Sequence, residues 1–314
     1  MKRAFVFPGQ GSQAPGMGRE LAEAFTAARL LFEEVDDALS TRLSRLMFDG
    51  PESELMLTEN AQPALLAASL AVVRVLESEA GFDISRQAAY VAGHSLGEYS
   101  ALAAARALPA AAAARLVRRR GQVMQQAVPV GEGAMAALLG IEIEVARAVA
   151  EKAAGRDLVC AVANDNCPGQ IVVSGHAVAV ERAIAIAAEH GARRSIMLPV
   201  SAPFHSPLMS PAAEIMAEAL AEAGLQAPVV PLVANVTAAA TSDREEIQEL
   251  LIEQVTRMVR WRESVLLFAE NGVEEVVELG AGRVLAGLAR RIDRTLSAVS
   301  VGAPAEVEDL MKRL

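Results

Sequence analysis

The sequence predicts an α/β protein in which a mainly parallel sheet, covered by helices on both faces, is interrupted by a small unit of different rhythm. Three observations carry that expectation. Short apolar strand patterns alternate with helical ones along most of the 314 residues, as parallel strands with helical crossovers do. Between 128 and 203 the order becomes β-α-β-β-α-β, the ferredoxin-like unit, whose two helices cover one face of its own sheet. Hydrophobic residues make up 53% of the chain and charged residues 22%, which suits a packed core and excludes a disordered chain. Residues 1–127 and 204–314 are therefore expected to form the large subdomain, with 128–203 inserted as the small one.

The elements follow in order. Residues 3–7 (RAFVF) read as a strand that stops at Pro8, and a glycine-rich loop and helical patterns follow to about 48. Residues 60–78 form a long, mostly apolar helix with Asn60 as its cap. Residues 89–93 make a buried strand that turns at once into helix 96–106, and a further helix runs over 110–127. In the inserted unit, strands are expected at 133–140, 158–163, 169–175 and 193–199, with helices at 142–154 and 177–190. Beyond it, helix 210–223, strand 229–234, helices 243–257 and 261–270, strand 274–279, helix 283–292 and strand 297–301 resume the alternation.

Charge and composition exclude several partners. The chain has 29 Lys+Arg against 39 Asp+Glu, a net charge of −10, and only 4% aromatic residues with Trp261 the sole tryptophan. It offers neither the basic face nor the stacking platforms of a nucleic-acid binder. The N-terminal apolar run breaks at Pro8, and the Ala-rich stretches are interrupted by arginine. Neither makes a signal segment or the roughly 20 apolar residues of a membrane span. Cys160 and Cys167 stand seven positions apart without a zinc-like cluster. They read as free thiols of a reducing, cytoplasmic setting, with no metal site.

Two glycine motifs carry chemistry. Gly93-His94-Ser95-Leu96-Gly97 matches G-x-S-x-G between a strand and a helix, the context of a nucleophile elbow. Small residues flank the serine, and the helix N-terminus favours developing negative charge. Ser95 as a plain helix cap is the structural alternative. A serine nucleophile needs a base, and there are four histidines. His94 adjoins the serine and must project elsewhere, His176 follows a strand in a turn, and His190 ends a helix. His205, framed by Pro203 and Pro207, remains as the general base. No acid stands out as a third member, so a backbone carbonyl is expected to orient the imidazole. The amide of Leu96 would serve an oxyanion hole.

The second motif, Gly9-Gln10-Gly11-Ser12-Gln13-Ala14, fits G-x-G-x-x-A after a strand. That also fits a dinucleotide fingerprint. Pro15 follows where the helix should donate to a pyrophosphate, and the acids about 20 residues on, Glu33 and Glu34, fall in a helical pattern rather than at a strand end. A close-approach loop that lends the Gln10 amide to the oxyanion hole suits the motif better. A non-catalytic nucleotide-binding module and a serine hydrolase of small esters stand as the competing classes.

In order along the chain, FPGQGSQ, GHSLGEYSAL, RRRGQVMQQAVP, NDNCPGQIVVSG and PFHSPLM make it closely similar to malonyl-CoA:acyl carrier protein transacylases of type II fatty acid synthesis. The resemblance covers essentially the whole chain. It implies an α/β-hydrolase-like large subdomain with a ferredoxin-like insertion, malonyl-CoA and acyl carrier protein as partners, and no cofactor. By position it implies Ser95 as nucleophile, His205 as base, Gln10 and Leu96 as oxyanion-hole amides, and Arg120 as the anchor of the malonyl carboxylate. It further implies that the Gln254 carbonyl steadies the histidine and that Asn166, Gln170 and Phe204 stand at the substrate pocket, Phe204 crowding out an α-methyl branch. The family's G-P-G near the C-terminus is Gly280-Ala281-Gly282 here, and Cys167 replaces a smaller residue. Spacing alone leaves Arg120 open, because RLVRRRG ends a helix where arginines are normally solvated. Arg115, Arg118 and Arg119 share one helical face and are expected to be exposed. With Arg290, Arg291 and Arg294 they are candidates to attract an acidic carrier.

Overall fold

The computed structural model describes residues 1–200 and 202–314. Its strands are β1 (Arg3–Phe7), β2 (Ala88–Gly93), β3 (Gly133–Leu139), β4 (Cys160–Cys167), β5 (Gln170–His176), β6 (Arg194–Met197), β7 (Leu232–Val233), β8 (Ala240–Thr241), β9 (Glu275–Leu279) and β10 (Ser297–Val301). Six form one sheet in the order β10-β9-β1-β2-β7-β8. All neighbours are parallel except the β7–β8 pair.

Both faces of this sheet are buried, as its apolar strands require. Along β1, Phe5 and Phe7 face one core cluster while Ala4 and Val6 face another. In β9, Val276 belongs to the second cluster and Val277 and Leu279 to the first. The four remaining strands form an antiparallel sheet in the order β4-β5-β3-β6. Helices Ile143–Ala154 and Ala177–Glu189 cover one of its faces through Ala136, Leu138, Ile171 and Val173. Met135 and Ala137, on the opposite side of β3, join the core of the large unit. The fold is thus an α/β-hydrolase-like unit with a ferredoxin-like sheet.

Several local expectations need correction. The helix expected from Asn60 begins at Thr58 and runs to Ala80, with Leu57 at the cap position. Asn60 lies inside it and donates to Glu54 O at 2.8 Å. By length and composition this helix could cross a membrane, but 83% of its apolar window is buried inside the protein, so it is a core helix. The strand expected at 229–234 shrinks to Leu232–Val233, because Pro231 has no N–H for the ladder. It still accepts from Val91 N–H. Arg115 and Arg119 are exposed as expected, but Arg118 is drawn inward. Pro63 cannot donate to Glu59 O, the carbonyl four residues before it. Arg118 Nη1 donates there instead at 3.2 Å and also bonds Asn60 Oδ1.

Candidate active site

β2 ends at Gly93, and the helix Gly97–Ala104 begins four residues later. The turn between them leaves room for glycine only: a Cβ on Gly93 would lie 1.8 Å from the Gly97 carbonyl carbon. At its apex Ser95 has φ +54°, a left-handed conformation that a serine adopts at a cost of about 1–3 kcal/mol. Three hydrogen bonds hold it there. Ser95 N–H donates to Asn235 Oδ1 at 2.8 Å, Asn235 Nδ2 donates to Gly93 O at 2.7 Å, and Gln254 Nε2 donates to Ser95 O at 2.9 Å.

The structure brings Ser95 and His205 together, with Ser95 Oγ 2.8 Å from His205 Nε2. His205 Nδ1 lies 2.8 Å from the Gln254 carbonyl. A carbonyl only accepts, so Nδ1 carries the hydrogen and Nε2 is the free acceptor for the serine hydroxyl. This is the arrangement expected when no triad acid exists. Burial, reinforced by the Arg120 cation, pushes the His205 pKa down to about 3, so the ring is neutral in physiological conditions. His205 also sits at φ +56°, braced by Ser206 Oγ donating to Pro203 O at 2.7 Å.

Arg120 is not solvated. It is 1% exposed because the helix Ala110–Gln126 packs tightly on the helix Thr58–Ala80. At Gly121 a Cβ would come within 2.6 Å of Glu59 Cα. Arg120 Nη1 donates to Gln62 Oε1 at 2.9 Å, and Nη2 donates to Ser95 Oγ at 3.1 Å and Gln254 Oε1 at 2.8 Å. These acceptors are all neutral. Nε has no hydrogen-bond partner among the described residues. The nearby Glu98 carboxyl, whose pKa burial pushes up to about 8, is not among these acceptors: its oxygens take the Asn235 N–H and the Gln254 amide instead. No carboxylate of the described residues accepts a hydrogen bond from the guanidinium.

These groups open into a cavity of about 220 Å³ lined by Gln10, Ser95, Leu96, Arg120, Phe204 and His205. Among the described residues no backbone acceptor takes the N–H of Gln10 or Leu96. Met56, Met124, Met135 and Leu198 add an apolar wall, Met135 coming from the small sheet. Asn166 and Gln170 do not line the cavity. Asn166 Oδ1 is 2.8 Å from His94 Nε2 and so fixes that ring beside Trp261. Gln170 accepts from Arg291 Nη1 at 2.6 Å. Sequence reasoning missed Gln62, Glu98, Asn164 and Asn235. Glu98 follows the serine by three positions and reads as an ordinary acidic first-turn residue, and Asn235 lies 140 positions away with no local mark. Among the described residues no group of three or more His, Cys, Asp or Glu could hold a metal ion.

A strained serine at a strand–helix turn, a neutral histidine and a buried cation define an acyl-transfer class of site. The chain belongs to the acyl transferase domain family, whose model matches residues 4–313. Within it the chain is similar to the malonyl CoA-acyl carrier protein transacylases. It is 48% identical over 307 residues to that of Bacillus subtilis, covering 98% of this chain and 95% of the relative. A solved acyl-carrier-protein-S-malonyltransferase from Bartonella henselae superposes with a TM-score of 0.97 at 52% identity, over 100% of this chain and 99% of that one. A malonyl-transacylase solved in complex with a type II PKS acyl-carrier protein gives 0.96 at 41%, over 100% of both chains.

Proposed function

We propose that this protein transfers malonyl from malonyl-CoA to the phosphopantetheine thiol of acyl carrier protein through a malonyl-serine intermediate, in fatty acid biosynthesis. Ser95 Oγ attacks the thioester carbonyl as His205 Nε2 takes its proton. The N–H groups of Gln10 and Leu96 receive the oxyanion, each worth about 10²–10³ in rate. Collapse of the tetrahedral adduct breaks the C–S bond, and the histidinium returns the proton to the departing CoA sulfur. The carrier thiol then gives its proton to His205 and attacks the ester carbonyl, and collapse breaks the C–Oγ bond as the histidinium returns that proton to Ser95 Oγ. Every step moves an acyl group between oxygen and sulfur, with the proton held on His205, so the chemistry calls for no metal or redox cofactor.

The observation that carries this reading is the buried Arg120, 3.1 Å from the serine oxygen and bonded only to neutral groups. Its planar fork suits a carboxylate, which malonyl has and acetyl lacks. Phe204 stands at the cavity as the ring that crowds out an α-methyl branch. We read residues 128–203 as an inserted subdomain that closes the apolar wall over the acyl group. A reducing, cytoplasmic location suits the free cysteines and a CoA ester as donor.

Intact-mass spectrometry after mixing with malonyl-CoA tests the reading. One malonyl adduct is expected on the wild type and none on Ser95→Ala, with discharge on addition of holo-carrier. Rapid CoA release without adduct or malonyl-carrier would make the protein a hydrolase.

A further inference from the structure

Neighbours fix the side-chain amide of Gln254. Its Oε1 accepts from Arg120 Nη2 at 2.8 Å. On the other side Nε2 faces three oxygens: Ser95 O at 2.9 Å, Asn235 Oδ1 at 3.4 Å, and Glu98 Oε2, to which it also donates. Half a turn of the amide would set oxygen against oxygen and N–H against the guanidinium. Asn235 is held in the same manner, since its backbone N–H donates to Glu98 Oε1 at 2.6 Å while its side chain straps the serine turn. Both oxygens of Glu98 are thus used as acceptors. Glu98 is 1% exposed, belongs to the first turn of the helix that starts at the elbow, and takes no step in the reaction.

We propose that Glu98 is a positioning residue, which presents Arg120 to the incoming carboxylate through the Gln254 amide and holds the Ser95 turn through Asn235. The inference rests on Ser95 as nucleophile and Arg120 as carboxylate anchor. The amide between Glu98 and Arg120 is the important part of the device. A carboxylate set directly on the guanidinium would occupy its fork and quench the charge that selects malonyl. The Gln254 oxygen instead takes one N–H, orients the plane, and leaves Nε without a partner. Because the same amide also donates to the backbone of Ser95, the anchor and the nucleophile share one orientation.

Glu98→Gln tests this, because its amide nitrogen would face one of the two donors and release the orientation of either Gln254 or Asn235. Malonyl transfer is expected to fall about tenfold in kcat, in the range found when a residue that orients a functional group is lost. The kcat/KM preference for malonyl over acetyl should fall with it, by about threefold or more. Equal losses for both substrates with the preference intact, or wild-type values for both, would overturn the proposal. The exchange variant Glu98→Gln/Gln254→Glu serves if the single variant does not fold. It keeps one acid and one amide in the cluster but sets the acid on Arg120. It should lose the malonyl preference while acetyl transfer persists, and retained preference would overturn the proposal. Arg120→Ala separates this from the assignment beneath it. If that variant keeps the malonyl preference, the anchor assignment itself fails. If it loses the preference while the Glu98 variants keep theirs, only the positioning role fails.

Discussion

Two arginines are buried at opposite ends of the parallel sheet, Arg3 in a strand where the strands begin and Arg120 on a helix beyond where they end, and their partners differ. Arg3 opens β1 and lies in register with Glu275, which opens β9. Glu275 accepts from Arg3 Nε at 2.8 Å and from Arg313 Nη1 at 2.8 Å, and Arg3 Nη2 closes the group on Arg313 O at 2.9 Å. At the opposite end, beyond Gly93 of β2, Arg120 is buried even more completely and has only neutral acceptors. Burying a charge is costly unless it is paired. The first end meets that cost with a carboxylate and becomes a clasp between the chain termini. The second leaves the cost standing, and under the proposed function a carboxylate from outside would relieve it. The proposed site would then lie at the carboxyl ends of the parallel strands, where such sheets keep their ligands.

Perturbing each end separately should break or sharpen this contrast. The largest effect is expected for Ser95→Ala, which should lower malonyl transfer by about 10⁴-fold or more while the thermal midpoint barely moves. Acyl-carrier product assays and calorimetry check the pair of outcomes. Glu275→Gln should do the reverse. Removing one side of a buried ion pair costs about 3–5 kcal/mol, so stability drops sharply in denaturant titration while kcat per folded molecule is unchanged. A large loss of kcat there would show that the two ends are not independent.

Titration gives a smaller, graded effect that belongs to the site end. Glu98 keeps its proton in the fold up to about 8 against the usual 4.5. Between those values unfolding releases a proton, and stability falls as pH rises. His205 is held neutral down to about 3 against the usual 6.5. Over that span unfolding takes up a proton, and stability falls as pH drops. Each slope is about 1.4 kcal/mol per pH unit. They oppose one another between pH 4.5 and 6.5 and act alone outside it. Their joint contribution is therefore flat in that window and declines on both sides. Thermal midpoints across pH should lose the acid-side decline in His205→Ala and the alkaline-side decline in Glu98→Gln. The smallest effect is expected at Phe204. Phe204→Ala should improve methylmalonyl transfer about tenfold, the scale at which a pocket discriminates one methyl group, with malonyl kinetics changed less than that. Competition between the two CoA esters measures it.

The same contrast explains what the sequence could reveal. The elbow is legible because its physics is local: Gly93 and Gly97 must be small for Ser95 to turn between a strand and a helix. His205 emerges by elimination among four histidines, and the absence of a triad acid directs attention to a carbonyl for its Nδ1, which lies 2.8 Å from Gln254 O. The small unit is legible because its strand and helix rhythm is complete within about 70 residues. Arg120 is not legible from spacing, since its burial depends on Gly121 letting one helix press on another, a tertiary fact. Asn235 and Gln254 reach Ser95 across 140 and 159 positions, and no local pattern marks either side-chain role. Asn166 shows the limit of a positional match, for it supports His94 from behind the cavity rather than lining it.

The most direct test of the account is acylation of Arg120→Ala and wild type in a mixture of equal malonyl-CoA and acetyl-CoA, read by intact mass. The account predicts that the wild type carries malonyl. The variant should lose about 10–100-fold in malonyl acylation, the scale of a charge-assisted hydrogen bond of about 1.5–3 kcal/mol, while acetyl acylation holds or rises. Equal losses for both acyl groups would contradict it, for the buried cation would then be structural at both ends of the sheet.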